Sequence, residues 1–145
     1  MAVLCDLLYH RAIPDKRAPL HQTHAVLKPN GLVFINVPAY QWLYSSHDVA
    51  VHTDRRFTKR EVLHLLRACS FEPLDATYWN TLLFPPILLT RAWRRFFPPK
   101  ESDLAGFHEG LSNRLFSQVL AIERQLIRLA PMPFGLSIFV VARKR

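Results

Sequence analysis

The chain has 145 residues, 50% hydrophobic and 21% charged, which fits one modest folded domain and excludes a disordered or low-complexity chain. Its net charge of +8 and pI near 10.1 suit an anionic partner, with acidic lipid favoured over nucleic acid because no nucleic-acid motif accompanies the charge, or a portion of a larger protein whose remainder offsets it. Cys5 and Cys69 stand apart, so no disulfide framework is expected and a reducing cytoplasm is the simplest home.

Ala2-Val3-Leu4-Cys5 reads as a short buried strand with Asp6 at its carboxyl end. Ligands of open α/β sheets sit outside the carboxyl ends of strands. Asp6, Tyr9 and His10 are therefore candidates for the rim of a cofactor or substrate site. The competing reading has Asp6 capping a turn and His10 solvated. Residues 1–9 lack the basic start and small-residue cleavage site of a signal peptide. The chain begins inside a strand, a pattern expected of a truncated domain.

A helix is predicted from Pro14 or Asp15 to about Leu27, with Leu20, Thr23, Val26 and Leu27 on one face. Pro19 is compatible only with its first turn. His21 and His24 share a face, but no third ligand stands at zinc spacing, so they read as solvated. Lys28-Pro29-Asn30-Gly31 stops the helix. Leu32 to Val37 is an apolar, β-branched run that suits a central parallel strand covered on both faces, and Pro38 ends it.

Ala39 to Phe57 is predicted as a long loop and holds the densest chemistry of the chain. Tyr40 and Trp42 offer flat apolar walls with polar tips. His47 and His52 can take a proton near neutral pH. Arg55 and Arg56 can hold an anion through paired hydrogen bonds; alternatively they solvate the entry to the next helix.

Thr58-Lys59-Arg60-Glu61 is a capping box. It opens a helix to about Cys69 whose buried face is Val62, Leu65, Leu66 and Cys69. Leu74 to Trp79 reads as a strand. Leu82 to Leu89, followed by Arg91, Trp93, Arg94 and Arg95, is too short to span a bilayer. It suits either an interfacial segment or a helix packed on its own domain. A polar loop at 98–110 leads to a helix from Leu111 to Ala130, with Leu115, Val119, Ile122, Leu126 and Leu129 on its apolar side. Leu136 to Ala142 is the last strand.

Several stretches carry a family resemblance. Leu-Lys-Pro-Asn-Gly at 27–31, followed by an apolar strand, resembles the approach to the fifth strand of class I S-adenosylmethionine-dependent methyltransferases. Asp-Leu-Leu-Tyr-His at 6–10 resembles that family's Asp-Val-Leu-Glu-His after the fourth strand, with Tyr9 in place of the acid. Val-Pro-Ala-Tyr at 37–40, Ser-Ser-His-Asp at 45–48 and the basic stretch at 52–58 are similar to one subgroup. The resemblance implies an α/β fold: a partial Rossmann-like methyltransferase sheet with flanking helices, lacking the N-terminal half that carries the cofactor loop. It implies residues 1–145 as that C-terminal portion, with an apolar and basic helical insertion at about 80–130 and a last strand inserted antiparallel.

By the same resemblance the function is methyl transfer from S-adenosylmethionine to an unidentified small-molecule or lipid-linked acceptor. Asp6, Tyr9 and His10 would face the cofactor, Tyr40, Trp42, Arg55 and Arg56 the acceptor, and His47 and His52 would serve as base. The family's Gly-x-Gly loop is absent: Gly31, Gly106, Gly110 and Gly135 are isolated. The alternative is a non-catalytic relative acting as an interaction or membrane-surface module. An open sheet edge is an expected site of association.

Overall fold

A computed structural model describes residues 1–96 and 111–145; the predicted loop at 98–110 lies outside these. The fold is mixed α/β, a sheet of four strands in the order β1-β2-β4-β3 with flanking helices. The strands are β1 (Ala2–Cys5), β2 (Leu32–Pro38), β3 (Phe71–Trp79) and β4 (Ser137–Lys144). β1 runs parallel to β2, and β4 lies antiparallel between β2 and β3. β3 therefore points the same way as β1 and β2, with one reversed strand between. The last strand is inserted antiparallel, as expected.

β2 is central, but its two faces are unequal. Val33, Ile35 and Val37 are fully buried, whereas Leu32, Phe34, Asn36 and Pro38 are half-buried. The first set continues across the sheet into Ile138, Val140 and Ala142 of β4 and Phe71 and Tyr78 of β3. Leu8, Leu20, Leu27, Val62 and Leu66 complete this core. On the other face Phe34, Phe139 and Trp79 meet edge to face across three strands, at 6.4 and 5.9 Å. The expected cover on both faces is thus complete on one face and partial on the other. β1 is likewise not a buried strand: it pairs only with β2 among the described residues, and Val3 and Cys5 are exposed.

Helix α1 (Ala18–Val26) starts later than its sequence suggested. Asp15 instead closes a turn, its carboxylate accepting from the Arg17 amide at 2.9 Å, and Pro19 then falls in the first turn, where no N–H is needed. Leu20, Thr23 and Leu27 face inward, but Val26 does not; a spacing of three, then four, selects Leu27 over Val26. Asn30 adopts a left-handed φ of 61° before the chain enters β2.

The segment 39–57 is not a plain loop. It contains a 3₁₀ turn at Gln41–Leu43 and a short helix α2 (Ser46–Ala50). Helix α3 (Lys59–Ala68) carries the predicted box: the Thr58 amide donates to Glu61 at 2.7 Å and the Glu61 amide to Thr58 Oγ1 at 3.3 Å. β3 begins at Phe71, earlier than predicted. Arg143 of β4 holds Glu72 at 2.8 Å, and a register shift between Pro73 and Asp75 accommodates the proline.

Helix α4 (Phe84–Phe96) and helix α5 (Leu111–Leu129) follow. The apolar side read for α5 is not its inward face. Glu123 is fully buried, while Ile122, Leu126 and Leu129 are exposed. The reason is a buried carboxylate contact: Glu123 accepts from the amides of Thr81 at 2.8 Å and Leu82 at 3.3 Å. These amides belong to the turn just before α4, and a buried backbone N–H needs a partner.

Candidate functional site

The carboxyl ends of β1 and β2 open onto a cleft of about 170 Å³. Asp6 and Tyr9 line it from the segment after β1, Asn36 and Pro38 from β2, and His47, Asp48 and Arg56 from the segment after β2. This is the position where α/β sheets hold ligands.

The cleft wall is fixed by an ion pair. Arg56 Nε lies 2.8 Å from Asp48 Oδ1, with the two side chains only 6% and 3% exposed. Arg56 also donates to the second Asp48 oxygen at 3.1 Å and to the Ala39 carbonyl at 3.1 Å. Ser45 donates its amide to Asp48 at 2.8 Å. Burial opposes ionisation of Asp48, but the Arg56 guanidinium and the Ser45 donors outweigh it and hold the carboxyl below its ordinary range. Three of the guanidinium donors are thereby engaged inside the wall.

Two groups give the cleft chemical character. Burial, reinforced by the Asp6 carboxylate, pushes the Tyr9 hydroxyl up to about 12, so Tyr9 stays a neutral donor at physiological pH. Asn36 Oδ1 is buried with no hydrogen-bond partner among the described residues, and such an acceptor is costly unless something donates to it. Asp6, Tyr40 and His52 all take positive φ, at 58°, 59° and 56°. For a bulky residue such as Tyr40 this conformation is strained, and strain of this kind clusters at functional sites.

The sequence-predicted residues divide into several groups. Asp6, Tyr9, His47 and Arg56 meet at the cleft. His10 and His52 pack edge to face at 6.0 Å, beside a backbone bridge between His10 and Thr53. Tyr40 stacks on Tyr78 at 5.4 Å, and Trp42 meets Tyr40 and Phe84 at 5.7 and 6.1 Å. This aromatic cluster buries the Tyr40 hydroxyl, which together with Tyr78 raises its pKa. Arg55 turns outward, pairing with Glu61 and lying 4.8 Å over the Phe57 ring. Asn36 was not singled out from the sequence, although it is the one polar side chain within the run Leu32–Val37. Ser137 and Thr53, also in the wall, carry no comparable signal.

Two solved structures align with 98% of the chain. One is selenomethionyl Haemonchus contortus phosphoethanolamine N-methyltransferase 2 in complex with S-adenosyl-L-methionine, at 22% identity and TM-score 0.49. The other is the same enzyme in complex with phosphomonomethylethanolamine and S-adenosylhomocysteine, at 21% identity and TM-score 0.45. The chain spans 32% of the length of each. No protein-family model and no curated protein matches it.

Proposed function

We propose that the chain forms the acceptor-facing portion of an S-adenosylmethionine-dependent methyltransferase. The observation that carries this reading is the reversed strand β4 between β2 and β3, with a polar cleft at the carboxyl ends of the parallel pair. The residues present fit the rim of such a cofactor rather than its main grip. The Asp6 carboxylate and the orphaned Asn36 oxygen both accept hydrogen bonds, and Tyr9 donates one. When bound, the cofactor supplies an electrophilic methyl group. The chain's own part is to hold the acceptor in line, where orientation provides much of the rate. His47, exposed at the cleft, takes the acceptor's proton when there is one. The buried Arg56–Asp48 pair keeps that wall rigid.

The test is backbone amide NMR of the chain titrated with S-adenosylhomocysteine. Weak, fast-exchange shifts confined to residues 6–10 and 36–39 are expected, with no micromolar affinity by calorimetry because the glycine-rich grip is absent. Shifts that are missing there, or scattered over α3 and β3, overturn the reading.

A further inference from the structure

We propose that the outward side of α5, together with the aromatic rim beside the start of α4, docks on an anionic lipid bilayer. The proposal stands apart from the methyltransferase reading.

Its first support is the way α5 is seated. Ile122, Leu126 and Leu129 form a stripe at spacings of four and three, and they are 55%, 37% and 83% exposed. An ordinary surface helix turns such a stripe to the core. Here the inward side instead carries the buried Glu123, clamped to the Thr81 and Leu82 amides. Further ties hold the same corner: Thr81 Oγ1 donates to the Phe134 carbonyl, and the Met132 amide donates to Thr77 at 2.9 Å. The helix is thus fixed with its apolar stripe toward solvent.

The second support is charge. Glu123 is the single acid in the sequences of α4 and α5, and it is turned inward. Arg114, Arg124 and Arg128 are exposed on α5, and α4 contributes Arg91, Arg94 and Arg95 to the same composition. Counting the acids of residues 97–110 as well, the stretch stays net positive. An apolar stripe with a cationic polar side and no outward carboxylate is the pattern of a helix lying in a bilayer interface.

The third support is the neighbouring rim. Trp42 is 62% exposed and meets Phe84, which in turn meets the exposed Phe134 at 5.4 Å. Phe134 is linked through Thr81 to Glu123, so the aromatic rim and α5 adjoin. Tryptophan with an apolar body and a polar tip favours the water–lipid boundary. No helix among the described residues is long and apolar enough to cross a membrane.

The experiment is co-sedimentation of the 145-residue chain with vesicles of phosphatidylcholine alone or mixed with phosphatidylglycerol. Binding is expected only to the mixed vesicles, and it falls as salt is raised. The pair Ile122→Asp with Leu129→Asp and, separately, the pair Arg124→Gln with Arg128→Gln each weaken it about tenfold or more. The pair Arg60→Gln with Arg67→Gln, on the exposed side of α3, removes the same charge elsewhere and leaves binding within about twofold. The arginine variants alter no buried contact, so they remain informative if the aspartate pair unfolds. Equal binding to neutral vesicles overturns the proposal. So does an equal loss from the α3 pair, which would mean diffuse attraction. Capture by a duplex oligonucleotide with none by vesicles overturns it in favour of nucleic acid.

Discussion

Arg56 and Asp48, eight residues apart, form a two-contact ion pair that is almost sealed from water. The pair closes the segment between β2 and α3, because Arg56 also reaches the carbonyl of Ala39 at the end of β2. A segment with only one turn of 3₁₀ helix and one short α-helix is thereby given one fixed path, and His47 is held at the cleft mouth next to Asp48.

Removing one partner strands the other as a buried charge. Arg56→Met is expected to destabilise the fold by about 3–5 kcal/mol. Replacing both, as Arg56→Met with Asp48→Leu, recovers much of that loss, because two apolar groups leave no charge to solvate. Urea denaturation of the two single variants and the double variant checks this. A double variant as unstable as the sum of the singles contradicts it.

The same carboxylate sets an acid limit. Against the effect of burial, the Arg56 guanidinium and the Ser45 donors hold the folded-state pKa of Asp48 below its ordinary carboxylate range. Its contribution is therefore complete above the unfolded pKa and is lost as pH falls through the depressed folded value. Glu61, held low by Thr58 and Arg55 against the effect of burial, acts with the same sign. Thermal melts should show a plateau above the carboxylate range and a fall below it. Asp48→Asn should flatten that fall, and an unchanged acid slope would count against the assignment.

At Ser70 the chain leaves α3 with φ of 63°. An L side chain in this conformation costs about 1–2 kcal/mol, and glycine does not carry that cost. Ser70 is exposed and its amide bond to the Arg67 carbonyl, 3.1 Å, needs no side chain. Ser70→Gly should therefore raise stability by about 1 kcal/mol, read as a higher denaturation midpoint. No gain would place the strain elsewhere.

Glu123 accepts two backbone amides that lie far from it in sequence. Glu123→Ala leaves both unpaired and should cost about 1–3 kcal/mol, while Glu123→Gln, which keeps one acceptor oxygen, should cost less. Amide hydrogen exchange at Thr81 and Leu82 should accelerate in the alanine variant. Unchanged protection there would refute the clamp.

The strands and the capped helix were legible because their signals are local. The run Leu32–Val37 announces itself by composition, and Thr58 with Glu61 by spacing. The seating of α5 was not legible. Periodicity marked Ile122, Leu126 and Leu129 as one side, but which side faces inward was decided by a carboxylate meeting amides 41 and 42 positions away. Likewise, the sequence placed Arg55 and Arg56 together as an anion grip. The fold separates them, one toward Glu61 at the surface and one into the wall with Asp48. Adjacent residues on an extended backbone point to opposite sides, and only the tertiary path shows what each side meets. Val26 was placed on the same face as Leu27, but only Leu27 is buried, since one position on a helix turns a side chain by a large angle.

The position of β4 has a consequence for how the chain is made. Among the described residues β3 finds its strand partner only in β4, and β2 finds its second partner there. β4 also follows β1, β2 and β3 in the sequence, so it leaves the ribosome after all three. Until residues 137–144 emerge, β2 shows a bare apolar edge and β3 has no sheet to join. The sheet therefore closes late, by contacts spanning most of the chain, a topology that folds slowly and exposes sticky intermediates. Nascent chains stalled just short of residue 137 should be strong clients of chaperones that bind extended apolar segments, whereas the released chain should not.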